Sequence, residues 1–168
     1  MSILIRAAKL EDIPVILEIN NYEILQTTVN YDIVPKTLEE QENWIHQKEN
    51  AGFPILVAEI NGRVEGFAFY GTFRPKYGYR FTVEHSVYIG PDSRGKGLGR
   101  KLMEQLIGIA KEAGYHSMVG GIDSSNLGSL EFHRKLGFRE VGRFKEIGHK
   151  FDKWLDLIFV QLLLEESN

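Results

Sequence analysis

The chain lacks cysteine altogether among its 168 residues. This absence excludes a disulfide framework, a thiolate metal site and a cysteine nucleophile. The chain also lacks any apolar run close to the roughly 20 residues that a membrane-spanning helix requires. Its N-terminal apolar run, residues 3–5, is too short for the core of a signal peptide. We therefore expect a cytoplasmic protein with no membrane partner.

A strong charge of either sign is missing as well. Twenty Lys and Arg residues against 23 Asp and Glu residues give a net charge of -3. A surface of this balance offers no general attraction to nucleic acid or to anionic membranes, so neither is expected as a partner. The five histidines show no spacing typical of metal ligands, so no metal is assigned. The length predicts a single domain over residues 1–168.

The apolar pattern predicts an α+β fold. Helices are expected from Ile13 to about Ile24, from Thr37 to about Asn50, over about fifteen residues that end before Gly114, and over 129–136. Strands are expected over 3–6, 54–59, 63–70, 82–89, 117–122, 139–148 and 154–163. Asn61-Gly62 predicts a tight hairpin. The long helix between strands 83–89 and 117–122 predicts a parallel crossover.

A glycine-rich loop, Arg94-Gly95-Lys96-Gly97-Leu98-Gly99, lies between a predicted strand and the long helix. Glycines let backbone N–H groups approach a ligand, and a helix N-terminus favours an anion. The spacing fits neither a Walker A loop nor a Rossmann fingerprint. The loop therefore predicts a phosphate-type ligand of another class, while a tight turn with solvated cations remains an alternative.

Two motifs then resemble one family. Arg94, Gly97 and Gly99 match the Gln/Arg-x-x-Gly-x-Gly/Ala signature of the GNAT acetyltransferases, and Asn126-x-x-Ser129 leading to Gly137-Phe138 matches their downstream signature. The segment 82–88 and His133 resemble the phosphinothricin N-acetyltransferase branch. That branch includes acetyltransferases of methionine sulfoximine and methionine sulfone.

The resemblance implies the GNAT fold, with a mixed, largely antiparallel sheet that contains a splayed strand pair and is flanked by about four helices. It implies acetyl-CoA as the co-substrate and favours a homodimer. Backbone groups of Val87, Tyr88 and Ile89 would pair with the pantetheine arm. The further residues implied in acetyl-CoA binding are Arg94, Gly95, Lys96, Gly97, Leu98, Gly99, Arg100, Asn126 and Ser129.

The resemblance also implies two catalytic residues. Glu84 corresponds to the general base that removes a proton from the attacking amine. An ordinary glutamate has a pKa of about 4.3, so this role requires partial burial or a water relay. A salt bridge with Arg74 or Arg80 is the alternative. His133 is expected to protonate the leaving thiolate, or else to be a packing histidine.

The segment 73–81 is the predicted acceptor-binding region. Its cations suit carboxylate or oxyanion groups, and its aromatic rings suit the wall of a small pocket. An ordinary loop or a dimer contact is the alternative. Tyr31 is expected to close the site from the other side. The residues predicted in this segment are Phe73, Arg74, Lys76, Tyr79 and Arg80.

Together these features predict an N-acetyltransferase acting on the α-amino group of a small amino-acid analogue such as phosphinothricin, methionine sulfoximine or methionine sulfone. A GNAT enzyme of another acceptor, such as a peptide N-terminus, a lysine or another amine, is one alternative. A CoA-binding protein without catalysis is the other.

Overall fold

The computed structural model describes residues 1–165. Within them, seven strands form one sheet in the order β1-β2-β3-β4-β5-β7-β6. The strands are β1 (Ile3–Ala7), β2 (Ile55–Ile60), β3 (Arg63–Thr72), β4 (Thr82–Ile89), β5 (Ser117–Asp123), β6 (Arg139–Lys150) and β7 (Lys153–Leu163). The α-helices are α1 (Ile13–Gln26), α2 (Leu38–Asn50), α3 (Leu98–Glu112) and α4 (Leu127–Lys135). The predicted mixed fold is confirmed.

Local sequence signals set several of these elements. Thr37 caps α2, accepting the backbone N–H of Glu40 at 3.2 Å, while the Glu40 carboxylate accepts the Thr37 N–H at 2.7 Å. Asn61 and Gly62 have φ angles of 51° and 84°, which the two central positions of a type I′ turn require. The hairpin of β2 and β3 follows from that turn.

The long helix α3 packs across the sheet. Its apolar side is fully buried in the main core, against strands β1 to β4. That side consists of Leu98, Leu102, Met103, Leu106 and Ala110. Burial of this stripe fixes the start of α3 next to the end of β4, which positions the glycine loop. No helix within the described residues is long and apolar enough to cross a membrane.

The sheet is antiparallel except where β4 meets β5. These two strands pair in parallel only over Thr82–Glu84 and Ser117–Val119. β4 remains paired with β3 up to Ile89, so its other edge is free beyond Glu84. We call the opening between residues 85–89 and 120–123 the strand split. It is the splayed pair that the GNAT resemblance implied.

Candidate active site

Three cavities meet around the strand split. The smallest, of about 50 Å³, lies in the split and is lined by residues that include His85, Val87, Gly120, Ser129 and His133. We call it the split cavity. A larger one extends towards the glycine loop and another opens beside Glu84. The split cavity shares lining residues with both larger cavities, so it lies between them.

The cavity beside the glycine loop has a volume of about 620 Å³, and we call it the cofactor cavity. Eleven of the twelve residues predicted to bind acetyl-CoA line it, and Lys96 is the exception. The Lys96 ammonium instead donates to the carbonyl of Asp92 at 2.9 Å. The lining residues from the prediction are Val87, Tyr88, Ile89, Arg94, Gly95, Gly97, Leu98, Gly99, Arg100, Asn126 and Ser129.

The glycine loop has a conformation that suits close backbone approach. Gly95 and Gly97 have φ angles of 75° and 83°, in the left-handed region that favours glycine, and no atom lies within 4 Å of the position of a Cβ at either residue. Gly97 is also the N-cap of α3 and contributes no side-chain acceptor. The first N–H groups of α3 have no partner within the helix, so they are available to an anion.

The cationic side chains of the loop are partly engaged elsewhere. Arg94 forms an ion pair with Glu23 of α1, whose carboxylate is buried and also accepts the Thr27 hydroxyl at 2.7 Å. Arg100 pairs with Glu104 one helical turn along α3, at 2.7 Å. The Arg94 side chain thus ties the loop to α1. No sequence motif indicates Glu23, because 71 residues separate it from Arg94.

The downstream motif begins α4. The side-chain carbonyl of Asn126 accepts the backbone N–H of Ser129 at 3.1 Å, so Asn126 is the N-cap of that helix. Ser129 lines both the split cavity and the cofactor cavity. The motif therefore holds the first turn of α4 against the free edge of β4.

The cavity beside Glu84 has a volume of about 350 Å³, and we call it the acceptor cavity. Burial raises the pKa of the half-buried Glu84 carboxyl above its ordinary value, and the charge of Arg74 opposes this only in part. The partial burial that the base role requires is therefore present. Neither arginine forms the alternative salt bridge within residues 1–165; Arg80 instead donates to the carbonyl of Tyr77 at 3.2 Å.

Lys48 also lines the acceptor cavity. No motif in the sequence indicates this lysine as a site residue. Its ammonium donates to the carbonyl of Tyr70 at 3.1 Å and lies 4.8 Å from the centre of the Phe69 ring. Burial lowers the pKa of this ammonium. Gly71 leaves space for it, because a Cβ there would collide with Nζ. Lys48 gives the cavity a cation on the side of α2.

Tyr31 also lines the acceptor cavity. Its hydroxyl donates to the Asp123 carboxylate at 2.7 Å and lies 3.2 Å from the carbonyl of Asp156. Burial and the Asp123 carboxylate raise the pKa of Tyr31 above its ordinary value. The ring is thus held against β5 and β7 as a wall of the cavity.

The segment 73–81 lies away from this cavity in the described chain. Phe73 packs edge-on against Tyr79 and Phe159, at centroid distances of 5.7 and 6.3 Å. Arg80 lies over the rings of Tyr77 and Phe81. None of Phe73, Arg74, Lys76, Tyr79 and Arg80 is among the residues lining the acceptor cavity. Their role in acceptor binding stays a prediction, for which the electrostatic influence of Arg74 on Glu84 is the physical support.

His133 is buried in the wall of the split cavity and contacts a second histidine. Its Nε2 lies 2.9 Å from Nε2 of His85, and its Nδ1 lies 2.7 Å from the carbonyl of Ser129. Burial lowers the pKa of His133. His85 was not among the site residues predicted from the sequence. Among residues 1–165, no group of three or more potential ligand side chains could hold a metal ion.

Comparison with known proteins agrees with this geometry. The family model of the acetyltransferase (GNAT) domain matches residues 5–159. The chain is 45% identical to an L-methionine sulfoximine/L-methionine sulfone acetyltransferase of Pseudomonas paraeruginosa, covering 99% of this chain and 98% of the relative. It is 44% identical to the L-amino acid N-acyltransferase MnaT of Escherichia coli, with 96% and 94% covered.

Among solved structures, the chain is similar to a GNAT superfamily phosphinothricin acetyltransferase from Sinorhizobium meliloti in complex with acetyl-CoA. The identity is 34% and the TM-score 0.93, with 97% of this chain and 89% of that chain covered. The resemblance inferred from the glycine loop and the Asn126 motif is confirmed. The chain belongs to the GNAT acetyltransferase family and is an N-acetyltransferase.

Proposed function

We propose that this enzyme transfers the acetyl group of acetyl-CoA to the α-amino group of a small amino-acid analogue such as phosphinothricin, methionine sulfoximine or methionine sulfone. One observation carries the proposal. The cofactor and acceptor cavities share Val29 and Tyr88 in their walls, and Glu84 lines the acceptor cavity. A base, an amine site and a cofactor site are thereby adjacent along β4.

The residues around the cofactor cavity fit acetyl-CoA. The open N–H groups at the start of α3 suit the pyrophosphate, and the free edge of β4 offers backbone groups to the pantetheine arm. A backbone N–H of Val87 or Tyr88 would polarise the thioester oxygen as negative charge develops on it. The Arg94–Glu23 ion pair supports the loop from α1, so Arg94 contributes mainly by holding the backbone in place.

Glu84 is the proposed general base. Acetyl transfer requires a neutral amine, and most free α-amines are protonated near neutral pH. A carboxylate with a raised pKa is a stronger base than an exposed one, and burial raises the pKa of Glu84. The proton leaves the amine through Glu84, directly or through one water, and is released to solvent.

The acceptor cavity favours an amino-acid analogue over a polyamine. Lys48 supplies a cation that can pair with an α-carboxylate or with an oxidised sulfur or phosphorus group. Phe69 and Tyr88 supply aromatic walls for a short side chain. The names of the relatives at 44% and 45% identity agree with this acceptor class. A polyamine would meet the Lys48 ammonium as a like charge.

A CoA-release assay with a panel of amines tests the proposal. Methionine sulfoximine, methionine sulfone and phosphinothricin should each release free thiol well above the background hydrolysis of acetyl-CoA. Glu84→Gln should abolish most of this release while acetyl-CoA binding persists, and the exposed Glu42→Gln is the matched control. Release with an alanine-initiated peptide or a lysine peptide but none of the three analogues would establish the alternative acceptor class.

A second outcome separates an enzyme from a CoA-binding protein. If calorimetry detects acetyl-CoA binding but no amine in the panel releases CoA, the proposed activity is refuted.

We further propose that residues 1–168 fold as one domain and assemble as a cytoplasmic homodimer, as expected from the family resemblance. Light scattering on the purified chain measures the assembly, with a mass of about twice 19.2 kDa expected.

A further inference from the structure

The partners of His85 fix the position of its proton. Its Nδ1 lies 3.0 Å from the backbone carbonyl of Val119, and a carbonyl oxygen can only accept a hydrogen bond. Nδ1 of His85 therefore carries a hydrogen. In the neutral ring, Nε2 then has a lone pair, and this atom faces Nε2 of His133 at 2.9 Å.

The same reasoning applies to His133. Its Nδ1 lies 2.7 Å from the carbonyl oxygen of Ser129 and 3.3 Å from the hydroxyl oxygen of the same residue. The shorter contact is with an atom that can only accept, so we place a hydrogen on this nitrogen too. Two neutral rings protonated in this way would point lone pairs at each other across 2.9 Å. A hydrogen bond at that distance needs one proton between the two Nε2 atoms. This assignment places three protons on the two rings.

We propose that His85 and His133 share one proton between their Nε2 atoms, and that this proton passes to the CoA sulfur when the thioester breaks. His85 is then a positioning residue, which holds the proton together with His133. The second part rests on the proposed acetyl transfer. Both rings line the split cavity, which shares lining residues with the cofactor and acceptor cavities.

Burial opposes a charge on the pair, since it lowers the pKa of both imidazoliums. A charge on His133 lowers the pKa of His85 further, so a second extra proton is opposed more strongly than the first. Two features favour the single charge: the carbonyl acceptors at both Nδ1 atoms, and the position of His133 in the last turn of α4, where the helix dipole favours a cation. The acidic groups that face this region are Asp123, in the wall of the split cavity, and Glu84, in the neighbouring acceptor cavity.

The fold makes room for this arrangement. Gly120 of β5 has no side chain where the His85 ring lies, since a Cβ there would be 2.6 Å from Cε1 of the ring. Phe138 packs against both imidazoles, at centroid distances of 5.0 and 5.3 Å. The pair is therefore held between an apolar ring and a glycine, with its remaining face on the split cavity.

The proposed step balances in protons and electrons. The amine nitrogen bonds to the acetyl carbon, and the bond between that carbon and sulfur breaks with its electron pair on sulfur. The shared proton moves to sulfur and gives the CoA thiol. The amine loses its proton to Glu84. The histidine pair, left with two protons, regains the third from solvent before the next turnover.

Nitrogen NMR of the ¹⁵N-histidine-labelled enzyme tests the shared proton without any activity. Between pH 5 and 9 we expect both Nδ1 atoms to give the shift of a protonated nitrogen. Both Nε2 atoms should give intermediate shifts that move together at one common midpoint. If one Nε2 gives the shift of a protonated nitrogen and the other that of an unprotonated nitrogen, and neither changes across this pH range, the proton is not shared. This result would overturn the shared proton even if the enzyme acetylates its acceptor.

A variant then tests the transfer to sulfur. In His85→Gln, the amide oxygen can accept the Nε2 proton of His133 but cannot share a charge. We expect kcat to fall about 10- to 100-fold, since general acid catalysis contributes about 10²–10⁴-fold. The KM for acetyl-CoA should change little. In the unmutated enzyme kcat should decline at high pH, as the shared proton is lost, and this decline should be absent in the variant. The exposed His46→Gln is the matched control.

Two results bear against the transfer step. If folded His85→Gln keeps kcat within twofold together with an unchanged pH profile, the pair does not supply the proton. If no amine releases CoA from the unmutated enzyme, the proposed acetyl transfer fails, and the NMR result still decides whether the proton is shared. If His85→Gln does not fold, nitrogen NMR spectra of the unmutated enzyme, recorded with and without acetyl-CoA, replace the kinetic test of the variant. A coupled shift of both Nε2 signals on binding is then expected, and its absence overturns the transfer step.

Discussion

Replacing Gly120 with alanine is expected to destabilise the enzyme, because the His85 ring occupies the space of the new methyl group. The added Cβ would lie 2.6 Å from Cε1 and 3.2 Å from Nε2 of His85. Carbon atoms pack at about 3.5 Å or more, so the ring must move by roughly 0.9 Å. His85 is buried and hydrogen-bonded at both nitrogens, so a shift of this size strains its contacts. Overpacking of this kind costs about 1–3 kcal/mol.

The neighbouring glycine provides the matched control. The Cβ of Gly121→Ala would lie 3.3 Å from a terminal methyl of Leu157, which can rotate away, and Gly121 itself is exposed. We expect a loss below about 1 kcal/mol for this variant. Urea denaturation measures both values. For a chain of this size, the Gly120→Ala loss corresponds to a melting temperature lower by roughly 2–12 °C. Equal stability of Gly120→Ala and the unmutated enzyme, or an equal loss in both variants, would refute the packing argument.

Three further predictions concern the site. The acid limb of the pH profile should have its midpoint above the ordinary glutamate pKa of about 4.3, because burial raises the pKa of Glu84 and only its carboxylate could act as the proposed base. A midpoint at or below that value in kcat/KM would contradict this. Glu23→Gln should raise the KM for acetyl-CoA severalfold and cost about 1–3 kcal/mol in urea denaturation, since it leaves the half-exposed Arg94 without its partner. An unchanged KM would refute the anchoring role. Lys48→Gln should raise the KM of the acceptor about tenfold, near 1.4 kcal/mol, at constant KM for acetyl-CoA. The exposed Lys111→Gln is its control, and equal acceptor KM values would count against Lys48 as the recognising cation.

The parts of the fold that follow from neighbouring residues were predictable from the sequence. The capping box at Thr37, the Asn61-Gly62 hairpin and the crossover through α3 each depend on a short stretch of chain. Helix boundaries were less exact. The helix predicted over 129–136 is observed as Leu127–Lys135, because Asn126 caps it two residues earlier than the apolar pattern indicates.

Contacts between distant segments were not predictable in the same way. The glycine loop alone indicates that Arg94 should face an anionic ligand, whereas its side chain pairs with a glutamate of α1. Lys48 belongs to a helix whose polar side gives no sign that one lysine reaches the acceptor cavity. Such pairings depend on how the sheet brings α1, α2 and β4 together. A single sequence contains no local signal for them.

For His85, in contrast, the sequence does contain a local signal, which is the pair of consecutive glycines at 120 and 121 in β5. Consecutive glycines within a strand weaken it and often indicate that another group approaches the backbone closely. The pairing of β4 with β5 ends at Glu84 and Val119, and the next residues along the two strands are His85 and Gly120. The imidazole lies over Gly120 at this point, where the ladder stops and the free edge of β4 begins. The same break therefore exposes backbone groups for the cofactor and leaves room for the buried ring beside His133. The proposed proton supply and the proposed cofactor pairing thus depend on one feature of the sheet, so a side chain at position 120 should disturb both.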